Sequence, residues 1–535
     1  MASRPLKAVT CVIGGKAVDK KVKISLIAHA PARRCESRAR ARPARKGAPL
    51  RKNDRRGSGK FRANAALTCS PPGVDDRALS WRRYMRIDGS ARLVGITALT
   101  AFAALGCAQE GDQKGDTSST GTPYEEPPEP SVDLGRNIQR TALTVDLETK
   151  TATAVIDLAS SQMSTGASFE AAGLEIVSVS NAQGPLKWAL AQGQLDIGVP
   201  KNLGSATVTI EYTFKEQAQF QGLMAKGSTL VWPYFCGNLF PCHSDPADGT
   251  TFELTVTGAP AGMTTVHPVA IGIDAPSYQI AWATGSYTKL DLGTTFQGVK
   301  VVAHYLPGGE ADAQKGTAAL LDVMNFYEQT LGGYPFGGEA GAVAVDWGPT
   351  AYGGMEHHPY WHVSTIAMGD PWIQAHEAAH GWFGGGVRPA CWEDFVLSEG
   401  TVSYLEARAI AAVMGADEGT KLWTHYQSRL NTAMAGAASK IAWPEGCGEV
   451  DILKDQLFGD IAYMKGAFFF RALEAKIGTS KLDPSLKAFF LKYKGRAARF
   501  SELLDIVKSV GGYDATACAT AWLRSEAVPA EQVCP

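Results

Sequence analysis

"HEAAHGWFGGGV" runs from His376 to Val387, and "CWEDFVLSEGTVSYLEA" follows it from Cys391 to Ala407. In the first stretch two histidines stand four residues apart. That spacing is just over one α-helical turn, so both project from one face and can grip a single ion. Glu377 points slightly aside, toward whatever the ion holds. His-Glu-x-x-His on a helix is a zinc pattern in which the glutamate serves as general base. A hydrolytic zinc site takes three protein ligands and keeps one position for water. Glu399, nineteen positions after His380, closes the set by folding back over the first helix, whereas a third histidine would mark a different zinc architecture. A plainer reading leaves Glu399 in the first turn of its own helix, favoured there by the macrodipole. Gly384 to Gly386 follow a helix instead of opening one, so they do not read as a phosphate cradle.

Together the two segments resemble the gluzincin aminopeptidases, the family of aminopeptidase N and leukotriene hydrolase. Its motif is HExxH, eighteen residues, then Glu within W-x-D-x-x-L-x-E-G. Trp382, Phe383, Gly384, Trp392, Asp394, Leu397, Glu399 and Gly400 all fit it. "AYGGMEHHPYW" places Gly353, Gly354, Met355 and Glu356 at the family's exopeptidase motif, with His357 where Asn is usual. The resemblance implies that Glu356 binds the free α-amine of a peptide and that the glycines let backbone approach it. "DIAYMKGAFFFRAL" is similar to the family's Tyr-x-Lys-Gly segment, which gives Tyr463 the role of stabilising the transition state. The similarity covers about residues 133–535. It implies one Zn2+ held by His376, His380 and Glu399, a water activated there, Glu377 as proton carrier and peptides as substrates. Asp394 is a candidate for supporting a ligand from behind, or else a surface or helix-cap carboxylate. Five of the ten histidines fall between 357 and 380. His357, His358 and His362 either line the cleft or fill ordinary polar roles, the latter being the preferred expectation.

Two departures qualify the resemblance. About ten residues before the Cys of the family's Phe-Pro-Cys stretch, here Phe240-Pro241-Cys242, a Glu or Gln helps hold the substrate amine. By that count Trp232 stands there, which offers a ring face but no accepting oxygen. Larger members also continue into a helical domain covering the active site. The expectation here is a more open cleft.

Around this centre the 535 residues, 45% hydrophobic, suffice for two or more domains. The net charge of −1 hides an asymmetry. Residues 1–84 hold 22 Lys/Arg against 5 Asp/Glu, and residues 108–535 hold 28 against 47. Residues 85–107 form a signal-peptide pattern: Arg86 and Arg92, an apolar run from Leu93 to Leu105 too short to span a bilayer, then Gly106-Cys107. The ending resembles a bacterial lipoprotein box with Cys107 as the acylated residue; ordinary secretion with cleavage nearby is the other reading. The preferred start is therefore Met85, with the Arg-rich head as upstream sequence, against a disordered basic arm for nucleic acid or anionic lipid. Nucleic acid is not expected as a partner. Export and anchoring to a bacterial membrane are expected, with periplasmic or secreted forms as alternatives.

Residues 108–131 are polar and Pro-rich and read as a tether. From 132 to 305, "LTVDL" (Leu143 to Leu147), "LEIVSV" (Leu174 to Val179), "LDIGV" (Leu195 to Val199) and "VTIEYTF" (Val208 to Phe214) alternate apolar and polar residues between turn formers. From 306 to 535 helical spacing takes over, beginning with a helix that ends at Gly332-Gly333 and interrupted by a strand at Ala342 to Gly348. The expected fold is multidomain α+β: an N-terminal all-β, saddle-like sandwich, then a thermolysin-like, mostly helical catalytic domain with a small sheet. Of the cysteines in the body, 236–242 and 518–534 pair most naturally, which leaves 391–447 among fifteen possible pairings. The function expected is zinc aminopeptidase. An endopeptidase of the same class, or an idle peptide-binding scaffold, are the rivals. Oligomeric state is not legible.

Overall fold

The computed structural model describes residues 126–199, 205–218, 220–349 and 352–535. The basic head, the signal-like run with Cys107 and most of the Pro-rich tether lie outside the described residues. The last six tether residues, 126–131, lie against the first domain: Glu126 and Glu129 pair with Lys187 at 2.8 and 2.7 Å. Among the described residues no helix is long and apolar enough to cross a membrane.

The N-terminal region is built from sheets, as period-two patterning requires. In strand Thr151–Leu158, Ala152, Ala154, Ile156 and Leu158 are buried while the residues between them face outward. Its neighbours keep the same phase. Leu143 pairs with Ala154 and Leu254, and Ile210 pairs with Ala154 and Val179, so one buried apolar row crosses five strands. A one-residue slip would turn that row to solvent, which is why the register is firm. The seven-stranded sheet runs in the order Ala270–Pro276, Gly249–Thr257, Ile138–Asp146, Thr151–Leu158, Ala206–Thr213, Glu175–Asn181, Gly184–Pro185. A second sheet of three strands buries Ala167, Phe169, Leu195 and Ile197 in the same continuous core.

A five-stranded sheet follows, ordered Thr288–Thr294, Lys300–Tyr305, Glu339–Val345, Tyr360–Ser364, Gly354–Met355. It straddles position 305, since Lys300–Tyr305 pairs in parallel with Glu339–Val345. The helices are α1 (Glu310–Thr317), α2 (Leu320–Leu331), α3 (Pro371–Ala379), α4 (Phe395–Val413), α5 (Ala416–Gly436), α6 (Asp460–Ile477), α7 (Thr479–Tyr493), α8 (Phe500–Gly511) and α9 (Thr516–Leu523). The pattern read as one helix up to Gly332-Gly333 is two, α1 and α2. Gly316 is a weak helix former, and the Thr317 hydroxyl turns back to the Ala313 carbonyl at 2.7 Å, so the helix is weakest where it breaks.

The three disulfides are Cys236–Cys242, Cys391–Cys447 and Cys518–Cys534. The second ties the start of α4 to the segment between α5 and α6.

Helices α4 and α6 cross where Gly400 meets Gly466. A Cβ on Gly466 would lie 2.4 Å from the Gly400 Cα, and one on Gly400 2.7 Å from the Gly466 Cα. Only two glycines allow this approach. Because Gly400 follows Glu399 and Gly466 lies one turn beyond Tyr463, the crossing sets the separation of those side chains. Gly466→Ala is expected to force the helices apart and cost about 1–3 kcal/mol of stability. Chemical denaturation measures this, and an unchanged midpoint would show that the crossing is slack.

Candidate active site

Helix α3 starts cleanly: the Asp370 carboxylate accepts from the Trp372 amide at 2.9 Å, and Pro371 occupies the first helical position, where its missing N–H costs nothing. One turn later His376 and His380 face helix α4. The His376 and His380 Nε2 atoms are 3.3 Å apart, and the Glu399 carboxylate oxygen lies 3.3 Å from the first and 3.5 Å from the second. Ligands at about 2.0–2.1 Å from one tetrahedral ion would stand about 3.3–3.4 Å from each other. The three atoms therefore already have the spacing of three corners of a zinc tetrahedron.

The outer ring nitrogens explain why a cation belongs there. His376 Nδ1 donates to Glu406 at 3.0 Å, and His380 Nδ1 donates to the Phe383 carbonyl at 3.0 Å. With their protons on Nδ1, both neutral rings turn an Nε2 lone pair toward the Glu399 oxygen. Three electron-rich atoms then share one space without a donor among them, an arrangement that a divalent cation resolves. Gly384 permits the histidine placement: its φ of 98° suits glycine, and a Cβ would meet Ser398 Oγ at 2.3 Å and His380 Nδ1 at 2.7 Å.

Glu377 is buried beside the pair. Burial pushes its carboxyl up to about 8, with His376 and His380 pulling against that and Glu356 and Glu399 adding to it. Burial likewise raises Glu356, which hydrogen-bonds Tyr278. In Glu399 burial is outweighed by the charge of His380 and the bonds from both histidines, so its carboxyl is held low. Gly354 lets Glu377 lie where it does, since a Cβ there would stand 2.4 Å from its carboxylate oxygen. Gly354 and Met355 form the edge strand of the five-stranded sheet, and the Gly353 carbonyl accepts from the Ser364 amide at 2.9 Å. Tyr463, on α6, stacks on His376 with ring centres 6.1 Å apart at 15°.

Two cavities meet at this centre and share His376, Glu377 and Tyr463. The smaller, about 100 Å³, is walled by Leu230, Trp232, Tyr352, Met355, Glu356 and Phe458 together with the ligand set. The larger, about 380 Å³, opens toward Trp372, His425, Tyr426, Arg429 and Asp460. Trp232 lies edge-on to Tyr352 and Phe458, at 4.8 and 4.6 Å between ring centres.

Asp394 is elsewhere, and the expectation for it is corrected. It is fully buried, accepts from Trp443 Nε1 at 3.0 Å and pairs with Arg499, and it hydrogen-bonds no ligand histidine. It is neither a supporting carboxylate of the metal centre nor a surface residue; it anchors the start of α4. The carboxylate behind a ligand is Glu406, seven residues after Glu399 and so on the same face of α4. Its sequence signal, an acidic residue two turns past a ligand, was available but unremarked. Tyr278, Gln279 and Leu230 were also missed, because they come from short segments of the β region without periodicity. His358 bonds Tyr334 at 2.7 Å and the Glu377 carbonyl at 3.0 Å, His362 bonds the Thr229 carbonyl at 3.2 Å, and His357 packs edge-on to His362. None of these three lines either cavity.

Residues 372–522, from α3 into α9, match the peptidase family M1 domain. The chain carries an M1 peptidase domain. The M1 segment contains His376, Glu377, His380, Glu399 and Tyr463, while Glu356 precedes it. Among curated relatives, leucine aminopeptidase 2 of Neosartorya fischeri is 27% identical over 294 residues, covering 49% of this chain and 45% of its own. The leukotriene A-4 hydrolase homolog of Botryotinia fuckeliana is 25% identical over 300 residues, covering 49% and 43%. The chain thus spans less than half the length of these relatives. Its fold is that of the M1 zinc metallopeptidase from Deinococcus radiodurans, solved with a Tyr-Ser-Ala substrate (TM-score 0.64, 18% identity, 74% of this chain and 96% of that one). Yeast LTA4 hydrolase in complex with bestatin shares it as well (TM-score 0.64, 19% identity, 77% and 71%).

Removing the carboxylate behind His376 is expected to weaken the site without emptying it. Glu406→Ala should lower zinc affinity about 10–100-fold. Competition against a chelator measures this, and an unaltered affinity would mean that Glu406 does not support the ligand.

Proposed function

We propose that this protein is a zinc aminopeptidase that removes N-terminal residues from peptides. The observation that carries the reading is the position of Glu356, a buried carboxylate in the wall of the smaller cavity, on one side of the junction where His376, Glu377 and Tyr463 meet. A peptide amine paired with Glu356 stops the chain on that side, so only the first peptide bond reaches the junction, and the remainder extends into the larger cavity.

His376, His380 and Glu399 would hold the ion. Zn2+, when bound, supplies a Lewis acid for the scissile carbonyl and lowers the pKa of a water. Glu377 takes the proton of the attacking water and passes it to the departing amine. Tyr463 offers its hydroxyl to the carbonyl oxygen as charge develops there. Glu356 orients the substrate through a charge-assisted contact that a blocked N-terminus cannot make. Trp232, Tyr352 and Phe458 give the first residue aromatic walls. Export and a lipid anchor on Cys107 belong to the same proposal, supported by the signal-like run in the sequence and by three disulfides among the described residues.

Aminoacyl amides with and without an N-acetyl cap test the reading. Hydrolysis of the uncapped series alone is expected, abolished by chelation and reduced at least about 10³-fold in Glu377→Gln. Glu356→Ala should lower kcat/KM on free amines by about 10²-fold. Equal cleavage of capped substrates would replace an aminopeptidase by an endopeptidase.

A further inference from the structure

The Tyr463 hydroxyl makes no hydrogen bond among the described residues. Its ring is held through its faces and edges instead. His376 stacks on it, Phe395 meets it edge-on at 6.1 Å, and the Arg429 guanidinium lies over it at 6.0 Å from the ring centre. Arg429 is the only one of these three that neither ligates the proposed ion nor belongs to the apolar core.

The surroundings of Arg429 are built. Its Nε and Nη2 both donate to one Asp460 carboxylate oxygen, at 3.1 and 2.6 Å. Asp460 opens α6 three residues before Tyr463, so the guanidinium is tied to the helical turn that carries the phenol. On its own helix, Arg429 also covers the ring of Tyr426, three residues earlier, at 5.8 Å. The Tyr426 hydroxyl donates to Glu406, which accepts from His376 Nδ1, and His376 stacks on Tyr463. The contacts close a circuit: His376, Glu406, Tyr426, Arg429, Tyr463 and back to His376. A circuit has no free end, so displacing one member displaces its neighbours.

We infer that Arg429, pinned by Asp460, is a positioning residue that holds the Tyr463 ring where its hydroxyl reaches the scissile carbonyl oxygen. The inference rests on the aminopeptidase reading above. An ion pair with side chains about a third exposed, 32% for Arg429 and 37% for Asp460, contributes little to stability, so removing it leaves a folded protein in which the position of Tyr463 is the thing altered.

The test uses Arg429→Met, Arg429→Lys and Asp460→Asn, assayed on an unblocked aminoacyl amide and examined by crystallography. In Arg429→Met, kcat should fall about 10–100-fold, as for a small misplacement of a catalytic group, with KM within about twofold. Zinc content and the thermal midpoint should match the parent. Arg429→Lys should retain most of the rate, and Asp460→Asn should lie between. In a Tyr463→Phe background Arg429→Met should cause no further loss, because the group it acts through is gone. The crystal structure of Arg429→Met should show the Tyr463 ring departed from the His376 stack.

An equal loss in the Tyr463→Phe background would overturn the inference, as would an unmoved ring. So would unchanged kcat on amides with a raised KM confined to peptides bearing a free C-terminal carboxylate, which would assign Arg429 to the leaving peptide. A parent protein inactive on every unblocked amide would sink the aminopeptidase reading, while the ring position in the crystal would still decide this one.

Discussion

Four carboxylates, those of Glu356, Glu377, Glu399 and Glu406, are each less than a tenth exposed and crowd two imidazoles from one helix. Withdrawing that much negative charge from water is costly unless something positive enters with it. Each imidazole spends its outer nitrogen on an acceptor behind it, so the inner lone pairs add to the demand. A divalent ion at the three converging atoms meets it, which couples metal binding to the stability of the surrounding helices. The arrangement is thus poised for its ligand by electrostatics as well as by shape.

Helix α4 distributes the work. Its start is anchored by the Cys391–Cys447 disulfide and by Asp394 and Glu393 against Arg499. Two turns of one face carry Glu399 into the ligand set and Glu406 behind His376, and an adjoining position, Gly400, presses on α6 and brings Tyr463 within reach. The same helix therefore sets the ligand, the carboxylate supporting a second ligand, and the distance to the phenol. The β region completes the site from outside: Leu230 and Trp232 wall the smaller cavity, the Tyr278 hydroxyl meets Glu356, and the Gln279 side chain donates to the Glu356 carbonyl at 3.3 Å.

Local signals made the metal face legible. A spacing of four on a helix is a statement about direction, so His376 and His380 could be placed on one face before any tertiary contact was known. The alternation in Thr151–Leu158 and its neighbours likewise announced strands and chose their inner face. Asp394 was misjudged because its position beside the motif suggested the metal, whereas its partners, Trp443 and Arg499, come from 49 and 105 residues away. Glu406 was overlooked for the opposite reason: its spacing was right, but only folding shows that its face meets His376.

What the sequence determined by itself is the chemistry of the centre, through the ligand types and their helical spacing, and the succession of a β region and a helical one, through hydrophobic period. What only the tertiary structure decided is which distant groups join that centre. Trp232, Tyr278, Glu406, Tyr426, Arg429 and Asp460 lie on separate elements, and their neighbourhood depends on how helices cross and how the β region abuts them. Periodicity reports which face of an element is buried; it carries no record of what that face is buried against.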